Sequence, residues 1–540
     1  MPPLKRRHFL QGSAGALALG SLGCSGSRDI ASARFAHGVA SGDPQADRCI
    51  IWTRVTPEPG DVAARNISWR VTRDPGLRDI VNDGVATTNA GRDFTLKLDV
   101  TGLPADSTLY FGFFDGDEAS PVGRLRTLPV GAVEQLRLAV LTCGDYSRGF
   151  FNAYARVAER DDLHAVLHLG DYIYENGNTD RVRPHDPPHK CVTLADYRRR
   201  YSQYREDADL QALHAAHAMI WVWDDHEFAN NTWRDGADNH DPETDGDFAA
   251  RDAAALQAAL EWMPIRSPDP AEPLRIYRDF AFGDLVDLSM LDTRRIGREQ
   301  QLSENTIVGD NLPAFTQTGG FADPGRQLLG AEQEAWLFDR LRNSTARWRL
   351  IGQQVMLAQL KVAGLPDGLG GGVYGNPDQW DGYKAARDRL FAALDEGNIG
   401  NVVVLAGDFH VAFASDVAQD PSNPAAYNPL TGAGAQAVEF VTPSATSAGD
   451  RRSLLDPDLL TDPGDLLEEL VVGNPLVFQA PNSHIKFTDG GNGYTLLEIT
   501  PDAVRAEYWA VSQVGAPDAG QERIAQFRVD DGVAALRWES

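Results

Sequence analysis

The stretch His168-Leu-Gly-Asp-Tyr-Ile-Tyr-Glu175, entered from the apolar run Ala165-Val-Leu167, decides how the rest of the chain reads. A short, continuously apolar run that stops at Gly-Asp is the pattern of a buried strand delivering a carboxylate at the edge of a sheet. The same texture recurs at 136–142, 218–223, 285–291, 348–355, 402–406 and 437–441, with helical patterns between. That alternation predicts a layered α/β domain over 133–540. Four strand ends carry one chemical theme: Cys143-Gly-Asp-Tyr146, Gly170-Asp-Tyr-Ile-Tyr-Glu175, Trp223-Asp-Asp-His-Glu227 and Gly407-Asp-Phe-His410. Side chains leaving neighbouring strands at one edge can converge on a point.

Upstream the texture differs. Short alternating segments, Cys49-Ile-Ile-Trp-Thr-Arg-Val55, Ile67-Ser-Trp-Arg-Val71, Phe94-Thr-Leu-Lys-Leu-Asp-Val100 and Thr108-Leu-Tyr-Phe-Gly-Phe113, are split by Pro, Gly and Asp. They predict a small β-sandwich over 31–132. At the N-terminus Lys5-Arg6-Arg7-His8-Phe9-Leu10 precedes a modest apolar run, which reads residues 1–30 as a twin-arginine signal and predicts folded export by the Tat machinery to the periplasm or beyond. Ser21-Leu22-Gly23-Cys24 is an imperfect lipoprotein site, so Cys24 is a candidate lipid anchor. Cys49, Cys143 and Cys191 remain, an odd number that leaves at least one thiol unpaired. No later run approaches the roughly 18 apolar residues of a membrane span. A net charge of -27 works against binding nucleic acid by phosphate neutralisation, leaving it only as a source of phosphate esters. The glycine-rich stretches 364–374 and 416–434 read as loops rimming the site.

The strand-end residues have the chemistry of metal ligands. A carboxylate just past a strand and a glycine can place one oxygen on each of two cations about 3.5 to 4 Å apart, and Asp171 is the candidate bridge. Asp408 and His410, two residues apart, leave an extended segment on one face and can serve one metal each. Tyr174 is either a packed tyrosine or a phenolate ligand suited to ferric iron. Cys143 is either a buried structural thiol or a thiolate on a metal. The acid-rich run at 224–227 needs cations or strong hydrogen bonds to offset its own repulsion. Within it Asp225 is assigned to a second metal, with His226 as its support or as a proton donor to the leaving oxygen. Asn230 and Asn231 are either loop caps or, for one of them, the source of an added carbonyl oxygen. His164, His214, His217 and His240 read as structural or exposed, with His484 the strongest exception. No Walker loop, paired Cys-x-x-Cys or Gly-x-Ser-x-Gly elbow competes with this set.

These motifs, together with Phe35-Ala-His-Gly-Val-Ala-Ser-Gly-Asp-Pro44, Ile51-Trp-Thr-Arg54, Asn230-Asn231, Gly352-Gln-Gln-Val-Met356 and His484-Ile-Lys486, make the chain resemble the PhoD-like alkaline phosphatase and phosphodiesterase family from about residue 35 to 510. The resemblance implies a calcineurin-like four-layer α/β/β/α metallophosphoesterase domain preceded by the small β-sandwich. It also implies a ferric ion on Cys143, Asp171, Tyr174 and His410, and calcium facing Asp171, Asp225, Asp408 and Asn231. Two departures are visible. Cys143 is followed by Gly-Asp-Tyr where the family commonly has Ser, a variable residue and Tyr, and Phe409 stands where Val is usual.

The expected activity is that of an exported alkaline phosphatase on small phosphate monoesters, with diesters as a second class. The metals clamp phosphoryl oxygens while a metal-bound hydroxide attacks phosphorus in line, with His226 and Asn231 as the catalytic side chains. Two alternatives accompany this expectation: a phosphodiesterase or D-type phospholipase on the same scaffold, marked by an apolar patch beside the site, and an extracellular binding protein whose site is degenerate.

Overall fold

Each of the seven apolar runs forms a strand, and the seven divide between two sheets. Leu136–Leu141, Ala165–His168 and Ala218–Trp221 lie parallel and adjacent in a ten-stranded sheet. Val286–Met290, Trp348–Gly352, Val402–Ala406 and Ala435–Val441 lie parallel in a seven-stranded one. This computed structural model describes residues 33–179, 181–266, 268–269, 271–303, 314–447 and 481–539. The twin-arginine segment and Cys24 lie outside the described residues.

Strands covered on both faces favour consecutive apolar side chains, as in Ala165–His168, Ala218–Trp221 and Val402–Ala406, while Arg137, Asp287, Arg349 and Glu439 are polar positions within the others. Successive side chains point to opposite faces. Leu138, Val140, Leu167 and Ile220 therefore meet Leu288, Leu350, Val403 and Leu405 in a core between the two sheets. Their neighbours Ala139, Leu141, Val166, Met219 and Trp221 pack outward on the helices Asn152–Ala158, Leu194–Arg205, Ala208–Ala216 and Phe248–Trp262. On the far side Ile351, Val404 and Val441 pack on Ala331–Asn343 and Lys384–Glu396. The result is helix, sheet, sheet, helix. Leu194–Arg205 starts at a capping box in which the Thr193 hydroxyl accepts from the Asp196 N–H and the Asp196 carboxylate accepts from the Thr193 N–H.

The N-terminal β domain is present, and its strands enter two sheets. Val39–Gly42 pairs parallel with Ala218–Trp221, and Arg48–Arg54 and Thr95–Thr101 continue outward, so three N-terminal strands extend the ten-stranded sheet. Arg65–Thr72, Ile80–Thr88, Thr108–Asp115, Glu118–Ala119 and Gly123–Arg126 form a separate five-stranded sheet. Val39, Ile51, Leu96, Val71, Phe111 and Phe113 fill the core between them. Alternation in the sequence shows which face a residue takes but not which strand it pairs with, so this sharing was not visible there. At the other end of the long sheet, Gly493–Ile499, Ala503–Val511 and Gln521–Asp530 add antiparallel strands. The stretch read as a loop at 364–374 holds a small hairpin, Lys361–Gly364 with Gly372–Tyr374. The one at 416–434 begins inside the strand Ala412–Ala418.

Candidate metal centre

The parallel strands of both sheets end at one edge of the molecule, and the residues just past them meet there. The backbone bends sharply to bring them in: Cys143, Asp171, Asp408 and His410 have φ of 54°, 53°, 59° and 62°, and Asn231 has 53°. Non-glycine residues in this left-handed region cost of order 1–3 kcal/mol each and persist only where the surroundings hold them. The holding contacts are specific. The Cys143 N–H donates to the Gly170 carbonyl (3.2 Å), and the Gly144 N–H to the Asp171 carbonyl (2.9 Å). The buried Glu227 carboxylate accepts from the N–H groups of Asp171 (3.1 Å), Tyr172 (2.6 Å) and Asp224 (2.8 Å), tying one strand-end turn to the next. Gly170, at φ 106°, lies so close to that second turn that a Cβ would sit 2.4 Å from both the nitrogen and the Cβ of Asp224.

Three sets of donor atoms result, each within 4.8 Å: Cys143, Asp171 and His410; Asp171, Asp225 and His226; Asp224, Asp225 and Asp408. Asp171 belongs to the first two and Asp225 to the last two, so the sets form a continuous chain. The Tyr174 hydroxyl joins the first set. It donates to Asp171 Oδ2 (3.0 Å), lies 3.1 Å from His410 Nε2, and accepts from the Ser447 hydroxyl (2.6 Å). Asn231 meets the second set through its backbone, whose N–H donates to Asp225 Oδ2 (2.7 Å). Its side-chain Nδ2 donates to Asp238 (3.0 Å), which leaves Oδ1 as the atom able to face a cation. Asn230 is used differently: its N–H donates to Glu175 (2.8 Å). His226 Nδ1 is 2.6 Å from Glu175 Oε2, and its ring lies on that of Tyr174 at 4.1 Å between centroids.

The electrostatics describe a site that wants cations. Asp171, Asp224 and Asp225 are buried and Asp408 nearly so, and Asp225 Oδ1 and Asp224 Oδ2 are buried with no hydrogen-bond partner. Burial, then the Asp171 charge, pushes the Cys143 thiol and the Tyr174 phenol well above their ordinary values. Burial raises Asp408 to about 6, with Asp378, Asp225 and Asp171 adding to it against the pull of Arg294. For Asp225, burial is outweighed by Arg294, His226 and the Asn231 N–H, and the carboxyl stays well below the usual range. For His226, burial is outweighed by Asp225, Glu175 and Asp171, and the imidazole is held well above its ordinary value. A bound cation reverses this logic for the thiol and phenol by favouring their deprotonated forms. The donors fit such ions: thiol, phenol, imidazole and carboxylate on one side suit a transition metal, and carboxylate and amide oxygens on the other suit a hard cation.

Three other histidines are tied to groups away from the donor sets. His168 meets the Tyr154 hydroxyl (3.0 Å) and His214 the Tyr172 hydroxyl (2.8 Å). His484 Nε2 is 2.8 Å from the Gln359 carbonyl, and burial lowers its pKa to about 3. Cys49 and Cys191 are buried free thiols like Cys143. Reading strand ends for ligands alone left out the groups that hold them: Glu175, Glu227, Asp378, Gln379 and Arg294. Arg294 sits just past the run at 285–291, so the strand-end rule applied to cations as well as to ligands would have found it.

Two sheets packed face to face between helices, with carboxylates, a thiol, a phenol and imidazoles gathered at one edge, define a metallophosphoesterase architecture. The chain belongs to the PhoD-like phosphatase family: that family's profile matches residues 138–508, and the profile of the PhoD-like phosphatase N-terminal domain matches residues 21–129. It is therefore a hydrolase of phosphoric ester bonds. Alkaline phosphatase D of Bacillus subtilis (strain 168) is 35% identical over 561 residues, covering 98% of this chain and 88% of that protein. A solved structure of PhoD superposes with a TM-score of 0.81 at 33% identity, over 94% of this chain and 92% of the other. The purple acid phosphatase PPD1 from yellow lupin seeds shares the fold at a TM-score of 0.51 and 11% identity, over 91% of this chain and 74% of that one. Among the described residues no helix is long and apolar enough to cross a membrane.

Proposed function

We propose that this protein is an exported alkaline phosphatase that hydrolyses phosphate monoesters, and diesters as a second class, at a site for ferric iron and calcium. The observation that carries the reading is that Asp171 belongs to two donor sets at once, one with Cys143 and His410 and one with Asp225 and His226. In this reading Cys143, Asp171, Tyr174 and His410 hold the iron, and Asp171, Asp225, Asp408 and Asn231 face the calcium. Such a pair of cations, when bound, supplies Lewis acidity toward phosphoryl oxygens and an activated water as nucleophile at neutral pH.

The chain's own side chains do the rest. With Nδ1 fixed on Glu175, His226 keeps Nε2 as the atom that delivers a proton to the departing oxygen. The Asn231 side chain, its Nδ2 held by Asp238, offers Oδ1 to a cation. Glu227 and Gly170 keep Asp171 and the 224–225 turn at a fixed separation. Residues 1–30 act as the twin-arginine signal, 31–132 form the N-terminal β domain and 133–540 the catalytic domain, with Cys24 as a lipid attachment point after export.

The diesterase reading has one observation in its favour. The hairpin that leads into Asp378 and Gln379 carries Val362, Leu365 and Leu369 at 51%, 47% and 71% exposure, an exposed apolar surface on the segment that precedes two groups of the site. The test is metal analysis of the purified mature protein with paired hydrolysis of a phosphomonoester and a bis-ester, repeated for Asp171→Ala and Cys143→Ala. Iron and calcium in the wild type, monoester rates above diester rates, and loss of both activities in both variants support the proposal. A diester preference selects the alternative substrate class. A metal-free, inactive wild type that stays inactive after metal addition overturns the proposal.

A further inference from the structure

Arg294 is one of the largest fully buried side chains, and it lies at the centre of the calcium-facing half of the site. It follows the strand Val286–Met290 of the seven-stranded sheet, in a turn whose backbone is held by Asp292: the Asp292 carboxylate accepts from the N–H groups of Arg294 (2.8 Å) and Arg295 (2.8 Å). Its guanidinium then makes three ion pairs. Nε donates to Asp224 Oδ1, Nη1 to Asp378 Oδ2 (2.8 Å) and Nη2 to Asp408 Oδ1 (2.6 Å), while Nη2 also lies 3.8 Å from Asp225 Oδ2.

The three partners come from three places. Asp224 follows a strand of the ten-stranded sheet, Asp408 follows a strand of the seven-stranded sheet, and Asp378 lies in the segment leading into the short helix Trp380–Tyr383. One planar cation thus ties the two sheets together where their strand ends meet. The second oxygen of Asp408 is taken by the Gln379 amide, so both oxygens of that carboxylate are aimed by protein donors. The Asp378 carboxylate is in turn held by Arg298 and Gln301.

A fork of fixed donors that grips several carboxylates at set angles is something a guanidinium can do and an ammonium cannot. Full burial also keeps Arg294 from substrate. We propose that Arg294 is a positioning residue that sets Asp224, Asp225 and Asp408 in the arrangement the second cation requires, before that cation binds. The inference rests on the reading in which Asp225 and Asp408 face calcium, and adds to it the group that builds that half of the site. Removing support of this kind around a metal typically weakens affinity by about 10- to 100-fold.

Two substitutions separate geometry from charge. Arg294→Lys keeps the positive charge but loses the fork, and Arg294→Gln loses both. Calcium is titrated calorimetrically into the iron-loaded, calcium-stripped full-length protein, and iron content is measured in parallel. The expected result is calcium affinity lowered by about 10-fold or more in both variants, with iron retained, because Cys143, Tyr174 and His410 lie on the other side of Asp171. Lysine restoring wild-type affinity, or glutamine tightening it, overturns the proposal and leaves Arg294 as a plain counter-charge. If the Arg294 variants do not fold, Asp378→Asn loosens the guanidinium from its far side, and unchanged calcium affinity there overturns it equally. A wild type that takes up iron but no calcium is a different outcome: it removes the calcium reading, and with it the inference built on it.

Discussion

Replacing Gly170 by alanine tests whether the strand-end turns are locked against each other or merely lie side by side. At φ 106° an L residue sits outside its preferred backbone regions, and the new Cβ would come within 2.4 Å of the Asp224 nitrogen and Cβ and 2.8 Å of the Trp223 carbonyl carbon. The backbone cost is about 1–2 kcal/mol. Overpacking against main chain that cannot step aside adds about 1–3 kcal/mol, for a total of about 2–5 kcal/mol. Gly60 supplies the control: it has φ 81° and nothing within 4 Å of an added methyl, so Gly60→Ala carries the backbone cost alone. Urea unfolding of both variants, followed by iron and calcium analysis, separates the two contributions. If the turns are locked, Gly170→Ala loses clearly more stability than Gly60→Ala and binds less metal, since the shift moves Asp171 away from the 224–225 turn. Equal losses in the two variants, with full metal content in both, refute the lock.

The same contacts set three other expected outcomes. Glu227→Gln places an amide donor where the carboxylate accepts three N–H groups, so it should cost about 1–3 kcal/mol by chemical unfolding and lower the hydrolysis rate; an unperturbed variant would contradict the clamp. Glu439, buried at the Leu357 and Ala358 N–H groups, has its pKa raised by burial from 4.5 to about 7. A raised carboxyl pKa favours the folded state most below the unfolded value, so its contribution falls as the pH rises from about 4.5 through about 7; across that range the wild-type urea midpoint should fall relative to that of Glu439→Gln, and parallel profiles would contradict this. Stripping the metals with a chelator should abolish hydrolysis and lower the unfolding midpoint, because Asp171, Asp224, Asp225 and Asp408 then rely on Arg294 and His226 for counter-charge; activity that survives complete stripping would argue against a metal-dependent step.

Much of the site can be read along the chain because its ligands obey a local rule. An apolar run buried on both faces must end where the sheet ends, and Cys143, Asp171, Asp225 and Asp408 each stand within a few residues of such an end. Tyr174 and His410 carry the same information one short step further on. For Arg294 and Glu227 the position at a strand end is local, but the partners are not. The value of Arg294 lies in reaching Asp224 on the other sheet and Asp378 on a separate loop, and the value of Glu227 in accepting from two turns that are far apart in sequence. Both depend on how two sheets pack, which hydrophobic periodicity does not encode. The N-terminal strands show the same limit: their faces followed from alternation, while the pairing of Ser41 with Ala218 joins segments whose relation appears only in the folded chain.

Everything proposed for the chemistry depends on a transition metal and a hard cation sitting side by side with Asp171 between them. Diffraction from crystals of the purified protein, recorded just above and just below the iron absorption edge, addresses that arrangement directly. The expected result is an iron-specific peak enclosed by Cys143 Sγ, Asp171, the Tyr174 oxygen and His410, and a second, non-iron peak between Asp171, Asp225 and Asp408. No density at either position, or iron bound away from Cys143, would contradict it.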